Sequence, residues 1–517
     1  MENFLNKLLK HYDIDENQYN LMVGHNKNIK LIDPFSLLGM DKTISRINQA
    51  IKNKEKIIIY GDYDCDGIMA TSIMVKTFEM LNYKASYYIP SRYIDGYGLN
   101  IENVKKIAKN GFTLIITVDN GISCYDAIEE ANKLGIDVIV IDHHQIPSKM
   151  VNAYSIIHPL TSKLGDVIAS GGYMALFVSA ALLNRYDRYL VVLAAISTIS
   201  DSMELKEYNK DIIILGLDYL KADKYLNLMN LIDKNIINEK TFSLEIAPKI
   251  NAIGRIIENQ NVNAVVKYIA NNNSDEMYSL LYWINETNDK RKELTKEILE
   301  QYKNIDCSNS IAINSNIKEG MIGLLANRLM NQYNVPTIVF TIDNKNPNLL
   351  KGSIRSKNGF NVIDFYKTVN GYLLENGGHS CAGGLTINKK DFDTFKEQFD
   401  KYAKENPFIE EKENCIEISL NDINFKNFEI LNNFGPFGNG NKEPTFIIKN
   451  LPTKNLKFIS GGKHLSTQLT RNTKLLGFNM NQNIILSKPI INIEGVFNLS
   501  EFKGLQTLEF RIIKILS

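Results

Sequence analysis

Carboxylate and imidazole side chains are concentrated in three short segments of the sequence. These segments are Asp62–Gly67, Asp119–Gly121 and Asp142–His144, and together they contain five aspartates and two histidines. Aspartate oxygens with one or two imidazoles suit Mn²⁺ or Mg²⁺ better than metals that prefer thiolates. A cluster of acids is costly because like charges repel, and bound cations relieve that cost. The residue types therefore predict a two-cation site that could activate a water for phosphoryl displacement.

Each segment follows a strand in a predicted alternation of strands and helices. The predicted strands are Lys56–Tyr60, Ala85–Ile89, Phe112–Val118 and Ile136–Ile141. This alternation indicates a parallel sheet, and the carboxyl ends of its strands meet at one ligand-binding edge. Asp201, which follows the apolar stretch Val191–Ile199, is a further candidate there. Asp-Gly and Asn-Gly are also ordinary turn sequences, but turns alone do not explain acids after so many strands.

The rest of the chain divides into further units. An amphipathic pattern from Asp275 to about Tyr302 contains no Gly or Pro and predicts a long helix that connects two lobes. A second region of strands and helices ends at the glycine cluster Gly377–Gly384, and short alternating segments from about Phe408 are typical of a small β-barrel. The predicted fold is α/β, with an N-terminal helical extension (1–52), a catalytic domain (53–260), a connecting helix (261–305), a second α/β domain (306–405) and an OB-like barrel (406–517).

Composition limits the class of protein. A chain of 517 residues is too long for one hydrophobic core, so several domains are expected. The five cysteines are scattered without a Cys-x-x-Cys pair, which argues against disulfides and thiolate zinc sites. No signal peptide or membrane span is predicted, and we expect a cytoplasmic protein. The net charge of +1 gives no global support for nucleic-acid binding, so any such contact requires a local groove.

Four segments resemble, in order and spacing, the motifs of the DHH phosphoesterases. They are Asp62–Gly67, Asp119–Gly121, Asp142–His144 and Ser200-Asp201. The cluster Gly377–Gly384 is similar to the glycine–glycine–histidine motif of the associated DHHA1 domain. Within the family, the RecJ group is favoured by resemblances at Arg92–Leu99, Asn251–Arg255, Gly435–Pro444 and Gly462–Leu465. The resemblance covers nearly everything from residue 52 onward and implies a DHH domain, a DHHA1 domain and an OB-like domain.

The RecJ group implies a 5′-to-3′ exonuclease that hydrolyses single-stranded DNA to 5′-mononucleotides in DNA repair and recombination. The resemblance also implies two Mn²⁺ or Mg²⁺ ions, a RecQ-type helicase and a single-strand-binding protein as partners, a monomer, and no membrane. The alternative is a DHH phosphodiesterase acting on short oligoribonucleotides or cyclic dinucleotides, which needs no extended strand-binding domain. A scaffold protein that has lost its metal ligands is disfavoured because the ligand positions hold competent residues. The residues themselves do not specify strand polarity.

The resemblance also assigns roles to individual residues. The expected metal ligands, with Asp119 as the bridging one, are Asp64, Asp66, Asp119, His143 and Asp201. Asp62 and His144 are expected beside the metals as catalytic residues. The residues expected to contact phosphate or nucleic acid are Arg92, Tyr97, Arg255, Ser353, Arg355, Gly378 and His379. Tyr97 either stacks on a base or packs in the core, and the glycine cluster either offers backbone N–H groups to a phosphate or is only a tight turn.

Three positions depart from the family pattern, and one of them, Ser200 in place of a more usual alanine, is expected to have little consequence. Tyr60 stands where some DHH enzymes have a metal-binding histidine, and we expect Asp62 to compensate. Lys318 replaces a frequent Trp-His pair, which leaves one DHHA1 contact open, although lysine can still bind a phosphate. In the connecting helix, Asn288 and Arg291 either line the passage between the lobes or are solvated.

Overall fold

A computed structural model of the chain describes residues 3–162, 164, 168–256, 262–270, 274–305, 307–409 and 415–516. Within these ranges it contains three sheets, each at the centre of one domain. The expected boundaries between residues 260 and 261 and at residue 306 lie outside the described residues.

The first domain is built on a parallel sheet with the strand order β2-β1-β3-β4-β5. Its strands are β1 (Ile57–Tyr60), β2 (Ser86–Tyr88), β3 (Leu114–Val118), β4 (Asp137–Ile141) and β5 (Ser155–Ile157). The central strands β1 and β3 are continuous apolar runs and are buried along their whole length. This pattern is expected of strands that helices cover on both faces.

Helices account for most of the remaining residues up to 270. They are α1 (Phe4–Tyr12), α2 (Glu16–Lys27), α3 (Met40–Lys52), α4 (Cys65–Met80), α5 (Ile101–Lys109), α6 (Tyr125–Lys133), α7 (Gly171–Leu183), α8 (Arg188–Ser200), α9 (Glu207–Asp223), α10 (Leu226–Met229), α11 (Glu239–Thr241), α12 (Ala247–Ile256) and α13 (Asn263–Ala270), with a π-helical turn at Phe242–Ile246. Helices α4, α7 and α8 are apolar almost all round because they pack against one another in the core.

A single long helix, α14 (Ser274–Gln301), joins the first domain to the second. The second domain has a mixed sheet in the order β6-β7-β8-β10-β9, in which only β6 and β7 are parallel. Its elements are β6 (Ile311–Ser315), α15 (Glu319–Tyr333), β7 (Thr337–Ile342), β8 (Leu349–Arg355), α16 (Val362–Thr368), β9 (Leu373–His379), β10 (Ala382–Asn388) and α17 (Phe392–Glu405). The glycine cluster is therefore a β-hairpin, with β9 at the sheet edge.

The C-terminal domain is a bent seven-stranded sheet in the order β11-β12-β16-β17-β15-β14-β13. Register shifts in β12, β14 and β16 interrupt the ladders, and such bulges curve a sheet. Its elements are β11 (Ile416–Glu417), α18 (Phe425–Asn432), β12 (Phe446–Pro452), β13 (Phe458–Ile459), β14 (His464–Thr470), β15 (Thr473–Gly477), α19 (Gln482–Leu486), β16 (Ile490–Phe502) and β17 (Leu505–Leu516). The predicted class, two α/β domains joined by a long helix and followed by a β domain, is confirmed.

The N-terminal residues are helical, but they belong to two different cores. Phe4 and Leu8 of α1 pack into the core of the C-terminal domain, and the Phe4 ring stacks on Phe446 at a centroid distance of 5.7 Å. Met40 and Ile47 of α3 pack into the core of the first domain. The first helix of the chain is therefore part of the C-terminal domain. None of the helices in the described ranges has the length and apolar character that crossing a bilayer requires.

Candidate metal centre

Three loops at the carboxyl edge of the first sheet bring the acidic segments together. Asp62 follows β1, Asp119 follows β3, and Asp142 follows β4. Asp64 is the N-cap of α4 and accepts a hydrogen bond of 3.1 Å from the Gly67 N–H. Asp201 lies directly after α8, which packs against α4 and so approaches the same edge.

The side chains form two adjoining donor sets, and a third group of possible ligands, which consists of Asp119, His143 and His144, overlaps both. In the first set, His143 Nε2 lies 3.1 Å from Asp119 Oδ1 and 3.6 Å from an oxygen of both Asp66 and Asp201. In the second set, one oxygen from each carboxylate lies within 4.8 Å of the others, and the members are Asp62, Asp64 and Asp119. Asp119 therefore belongs to both sets. The structure brings together all five residues that were expected to bind metal.

Burial and mutual repulsion perturb the protonation of this cluster. The pKa of Asp62 is raised to about 8 by burial and by the charge of Asp64. Burial, together with the charges of Asp66 and Asp64, raises the pKa values of Asp119 and Asp201 well above their usual range. Burial lowers the pKa of His143 to about 4, so its imidazole is neutral at physiological pH.

These donors fit a pair of divalent cations. Mn²⁺ binds both neutral imidazole nitrogens and carboxylate oxygens, and Mg²⁺ binds carboxylate oxygens. Asp62 Oδ1 is buried and has no hydrogen-bond partner among the described residues. Such an orphaned oxygen is costly unless a cation or an unseen water meets it. The first set (Asp66, Asp119, His143 and Asp201) and the second set (Asp62, Asp64 and Asp119) could each hold one ion.

The N-terminus of α7 holds the Asp66 carboxylate. The N–H groups of Gly171 and Gly172 each donate a hydrogen bond of 2.8 Å to it, and the Ser197 hydroxyl donates a third. A helix N-terminus favours a negative charge at this place. Sequence reasoning missed Gly171, Gly172 and Ser197, although Ser170-Gly171-Gly172 is a recognisable helix start. A Cβ at Gly171 would lie 2.6 Å from Asp119 Oδ1, so the close approach requires glycine.

Asp142 orients His144 and does not belong to either donor set. Its Oδ1 lies 2.7 Å from His144 Nδ1, and its Oδ2 accepts a hydrogen bond of 2.9 Å from the Ile122 N–H. Burial alone would lower the pKa of His144, but the hydrogen bond and charge of Asp142 outweigh it and raise this pKa to about 9. His144 is therefore a protonated side chain beside the acids, in contrast to His143.

The loop that carries Asp119 is fixed by its own backbone. Asp119 has φ +61°, a left-handed conformation that is unfavourable for residues other than glycine. The next residue, Asn120, is fully buried, and its amide donates hydrogen bonds to the carbonyl groups of Tyr60 (3.2 Å) and Gly61 (3.0 Å). Asn120 therefore ties the loop after β3 to the loop after β1.

Three arginines converge beside the acidic cluster. The Arg92 guanidinium carbon lies 4.2 Å from the centroid of the Tyr63 ring. Burial and the charges of Arg92 and Arg355 lower the pKa of Arg255 to about 10. Arg355 donates a hydrogen bond of 2.9 Å to the Ser353 hydroxyl. No acidic side chain in the described ranges lies within 4.0 Å of these three guanidinium groups, which leaves them available to an anion such as phosphate.

The segment Asn251–Arg255 lies in α12 and supports the first acidic loop. Asn251 Oδ1 accepts a hydrogen bond of 2.9 Å from the Cys65 N–H. A Cβ at Gly254 would lie 2.6 Å from the Tyr63 carbonyl oxygen, so this contact also requires glycine. The segment that was expected to precede the second lobe thus positions both Arg255 and the Asp62–Gly67 loop.

Tyr97 has surroundings that differ from those of Gly378 and His379. Tyr97 places its hydroxyl 3.2 Å from His144 Nε2, and 46% of the residue is exposed, which excludes core packing. Gly378 and His379 lie on the exposed edge strand β9. His379 is opposite Ala382, which in turn pairs with Arg355, but the His379 side chain makes no hydrogen bond to any described residue.

Burial and hydrogen bonds describe the surroundings of Tyr60, Asn288 and Lys318. Tyr60 is fully buried and its hydroxyl donates to the Gly98 carbonyl at 3.2 Å, so it is not directed at the acids. Asn288 is 2% exposed and accepts a hydrogen bond of 3.0 Å from Arg291, so the view that both are solvated is wrong. Lys318 donates to the Ile256 carbonyl at 3.4 Å and so bridges the two lobes.

Comparison with sequence families identifies all three domains. The DHH family N-terminal domain matches residues 56–199, the DHHA1 domain matches residues 307–405, and the RecJ OB domain matches residues 416–514. The matches follow the order of the three sheets.

Individual relatives extend along most of the chain. The single-stranded-DNA-specific exonuclease RecJ of Bacillus subtilis (strain 168) is 31% identical over 93% of this chain, which spans 64% of that protein. The enzyme of the same name from Haemophilus influenzae is 27% identical over 80% of this chain and 78% of its own length. The crystal structure of RecJ in complex with Mn²⁺ from Thermus thermophilus shares the fold at a TM-score of 0.82 and 21% identity, covering 99% of this chain and 78% of that one. The chain therefore contains a DHH family N-terminal domain, a DHHA1 domain and a RecJ OB domain, and along most of its length it is similar to RecJ exonucleases.

Proposed function

We propose that this protein is a metal-dependent exonuclease that hydrolyses single-stranded DNA to 5′-mononucleotides from the 5′ end. The observation that carries the proposal is the pair of donor sets that share Asp119 beside three converging arginines. A phosphodiester substrate needs both parts, a group of ligands for cations and a cationic surface for phosphate.

The cofactors are two Mn²⁺ or Mg²⁺ ions held by Asp64, Asp66, Asp119, His143 and Asp201. When bound, the ions supply Lewis acidity and lower the pKa of a water that serves as the nucleophile. The relatives support this assignment because RecJ structures from Thermus thermophilus contain Mn²⁺ or Mg²⁺.

The chain's own residues bind and orient the strand. Arg92, Arg255 and Arg355 grip a terminal phosphate and the adjoining backbone, because a guanidinium can bind phosphate oxygens in a bidentate manner. His144, which is protonated at neutral pH through its hydrogen bond to Asp142, donates a hydrogen bond to the scissile phosphate. Asp62, which lies in the second donor set, would contact the ion held there or its water. Tyr97 offers its exposed ring to a base, a contact that is tolerant of sequence.

The cellular setting is proposed from the family. We place the enzyme in the cytoplasm, as a monomer in DNA repair and recombination, beside a RecQ-type helicase and a single-strand-binding protein. The C-terminal domain supports a strand substrate, because an enzyme for dinucleotides needs no additional strand-binding domain.

Digestion of end-labelled DNA tests the proposal. We expect a single strand to be degraded with Mn²⁺ or Mg²⁺, with a 5′ label released first as a mononucleotide, while a blunt duplex is degraded far more slowly. Asp119→Ala should lower the rate by at least ~10³-fold because it removes a ligand common to both ions. Asp126→Ala, which changes an exposed aspartate on the following helix, should leave the rate unchanged.

Two outcomes of this experiment contradict the proposal. Earlier release of a 3′ label would reverse the polarity. Faster turnover of a dinucleotide than of the long strand would favour the phosphodiesterase alternative.

A further inference from the structure

The loop after Asp201 has an unusual backbone. Helix α8 ends in a Schellman motif, in which the Ser202 N–H bonds the Ile199 carbonyl (3.2 Å) and the Met203 N–H bonds the Thr198 carbonyl (3.1 Å). Glycine is the usual residue at the left-handed position of this motif, but here it is Ser202, with φ +57°. Its side chain makes that conformation unfavourable, so the loop needs support from outside the helix.

Part of that support comes from the C-terminal domain, in addition to the hydrogen bond of 3.1 Å that the Asn209 amide of α9 donates to the Glu204 carbonyl. The Asn439 side-chain amide donates a hydrogen bond of 2.8 Å to the Ser202 carbonyl, and the Asn439 carbonyl accepts one of 2.7 Å from the Leu205 N–H. The two hydrogen bonds bracket residues 202–205. A Cβ at Gly438 would lie 2.8 Å from the Leu205 side chain, and one at Gly440 would lie 3.3 Å from Glu204. The glycines on both sides of Asn439 therefore allow the close approach.

The loop that presents Asn439 is itself rigid. The Asn441 amide donates hydrogen bonds to the carbonyl groups of Phe434 (2.9 Å) and Pro436 (2.8 Å). The Gly438 N–H donates to the Asn441 carbonyl at 2.9 Å, which closes the turn around Asn439. Asn439 thus reaches the first domain from a preformed support rather than from a free loop.

We infer that Asn439 is a positioning residue that holds Asp201 in place as a metal ligand, so that the C-terminal domain completes the metal centre of the first domain. The inference rests on the proposed two-metal function. Asp201 is one of the carboxylates around His143 Nε2, at 3.6 Å, whereas it takes no part in the donor set around Asp62 and Asp64. Release of the Ser202 carbonyl would therefore weaken one cation site and leave the other unchanged.

Mn²⁺ binding to the full-length protein, measured by calorimetry and electron paramagnetic resonance, tests this inference without relying on activity. Asn439→Ala removes the amide but keeps the backbone bond to Leu205. We expect one of two dissociation constants to rise about tenfold, the usual effect of removing a group that orients a ligand, while the other changes less than twofold. The melting temperature should stay within a few degrees because Asn439 is exposed.

Lys240→Met is the matched control. Lys240 of the first domain pairs with Glu443 of the C-terminal domain at 2.7 Å, so this variant weakens the same interface without touching the Asp201 loop. We expect it to bind both ions as the wild type does.

A second variant tests the role of the backbone. Ser202→Gly removes the cost of the left-handed conformation, so in the Asn439→Ala background it should restore most of the lost Mn²⁺ affinity.

The inference is overturned if Asn439→Ala binds both ions like the wild type, or if Lys240→Met causes the same loss. Failure of Ser202→Gly to restore affinity also counts against it. If the wild type itself binds no Mn²⁺, or binds it without degrading DNA, the proposed function fails instead.

Discussion

At the scale of single residues, ionising the buried acids is unfavourable in the metal-free protein. Asp62 is 3% exposed, and its pKa is raised by burial and by the charge of Asp64. A carboxyl whose pKa is higher in the folded state contributes stability that is complete below its unfolded pKa and is lost as the pH rises through the folded pKa. The window for Asp62 therefore runs from about pH 4 to about pH 8.

We predict that the metal-free protein melts at a lower temperature at pH 8 than at pH 5. Asp62→Asn, which cannot ionise, should reduce this difference by roughly 5 °C. Mn²⁺ should raise the melting temperature of the wild type at pH 8, because it binds only the folded cluster. Calorimetry in chelator-treated buffer, with and without Mn²⁺, measures both effects. An equal pH difference in wild type and Asp62→Asn would show that Asp62 stays ionised throughout.

At the scale of elements, the first and second domains meet where the first turn of α15 packs on the end of α12. The Tyr93 hydroxyl accepts a hydrogen bond of 3.3 Å from the Gly320 N–H and donates one to the Arg255 carbonyl. A Cβ at Gly320 would overlap the Arg255 carbonyl. The arginine cluster draws Arg92 and Arg255 from the first domain and Arg355 from the second, so its geometry depends on this contact.

Gly320→Ala should therefore push the lobes apart and separate the arginines. We expect kcat/KM on single-stranded DNA to fall by about 10²-fold, since misplacing binding groups by about 1 Å has effects of that size. Gly371→Ala is the matched control, because a Cβ there meets nothing within 4 Å. Steady-state kinetics on a 5′-phosphorylated strand is the measurement, and Mn²⁺ affinity should remain unchanged. Equal kinetics for the two variants would contradict the role given to this contact.

At the scale of the whole molecule, the N-terminal helix α1 packs against the C-terminal domain. Helix α1 fills part of the core of the C-terminal domain, where Leu8 is fully buried. The Tyr12 hydroxyl donates to the Lys442 carbonyl at 3.1 Å, and the Tyr12 ring stacks on Phe434 at 4.7 Å. The loop that carries Asn439 lies between these contacts and the metal centre, so the N-terminal helix supports it indirectly.

Leu8→Ala should destabilise the C-terminal domain by about 2–5 kcal/mol, the range for removing a buried leucine side chain. Leu21→Ala in α2 is the control, because Leu21 is 74% exposed and should change stability by less than ~0.5 kcal/mol. Urea unfolding measures the stability of both variants, and limited proteolysis then identifies the domain that is cleaved first. Cleavage that begins in the first domain of Leu8→Ala would refute the assignment of α1 to the C-terminal core.

The amino-acid sequence alone was enough to predict which acids and histidines lie together at one edge of a sheet and what kind of sheet carries them, whereas their roles as metal ligands stay a prediction. Asp62, Asp119 and His143 stand directly after apolar strands, and parallel strands must deliver such residues to one edge. These are local patterns, so they are readable from neighbouring residues in the chain.

The contacts that orient those residues became visible only in the folded chain. Ser197 reaches Asp66 across 131 positions, and Asn439 reaches Ser202 across 237. Nothing in the local pattern around Ser197 or Asn439 specifies its partner, because such contacts depend on how helices and domains pack. For the same reason the N-terminal helices could be predicted as helices, while their division between two cores could not.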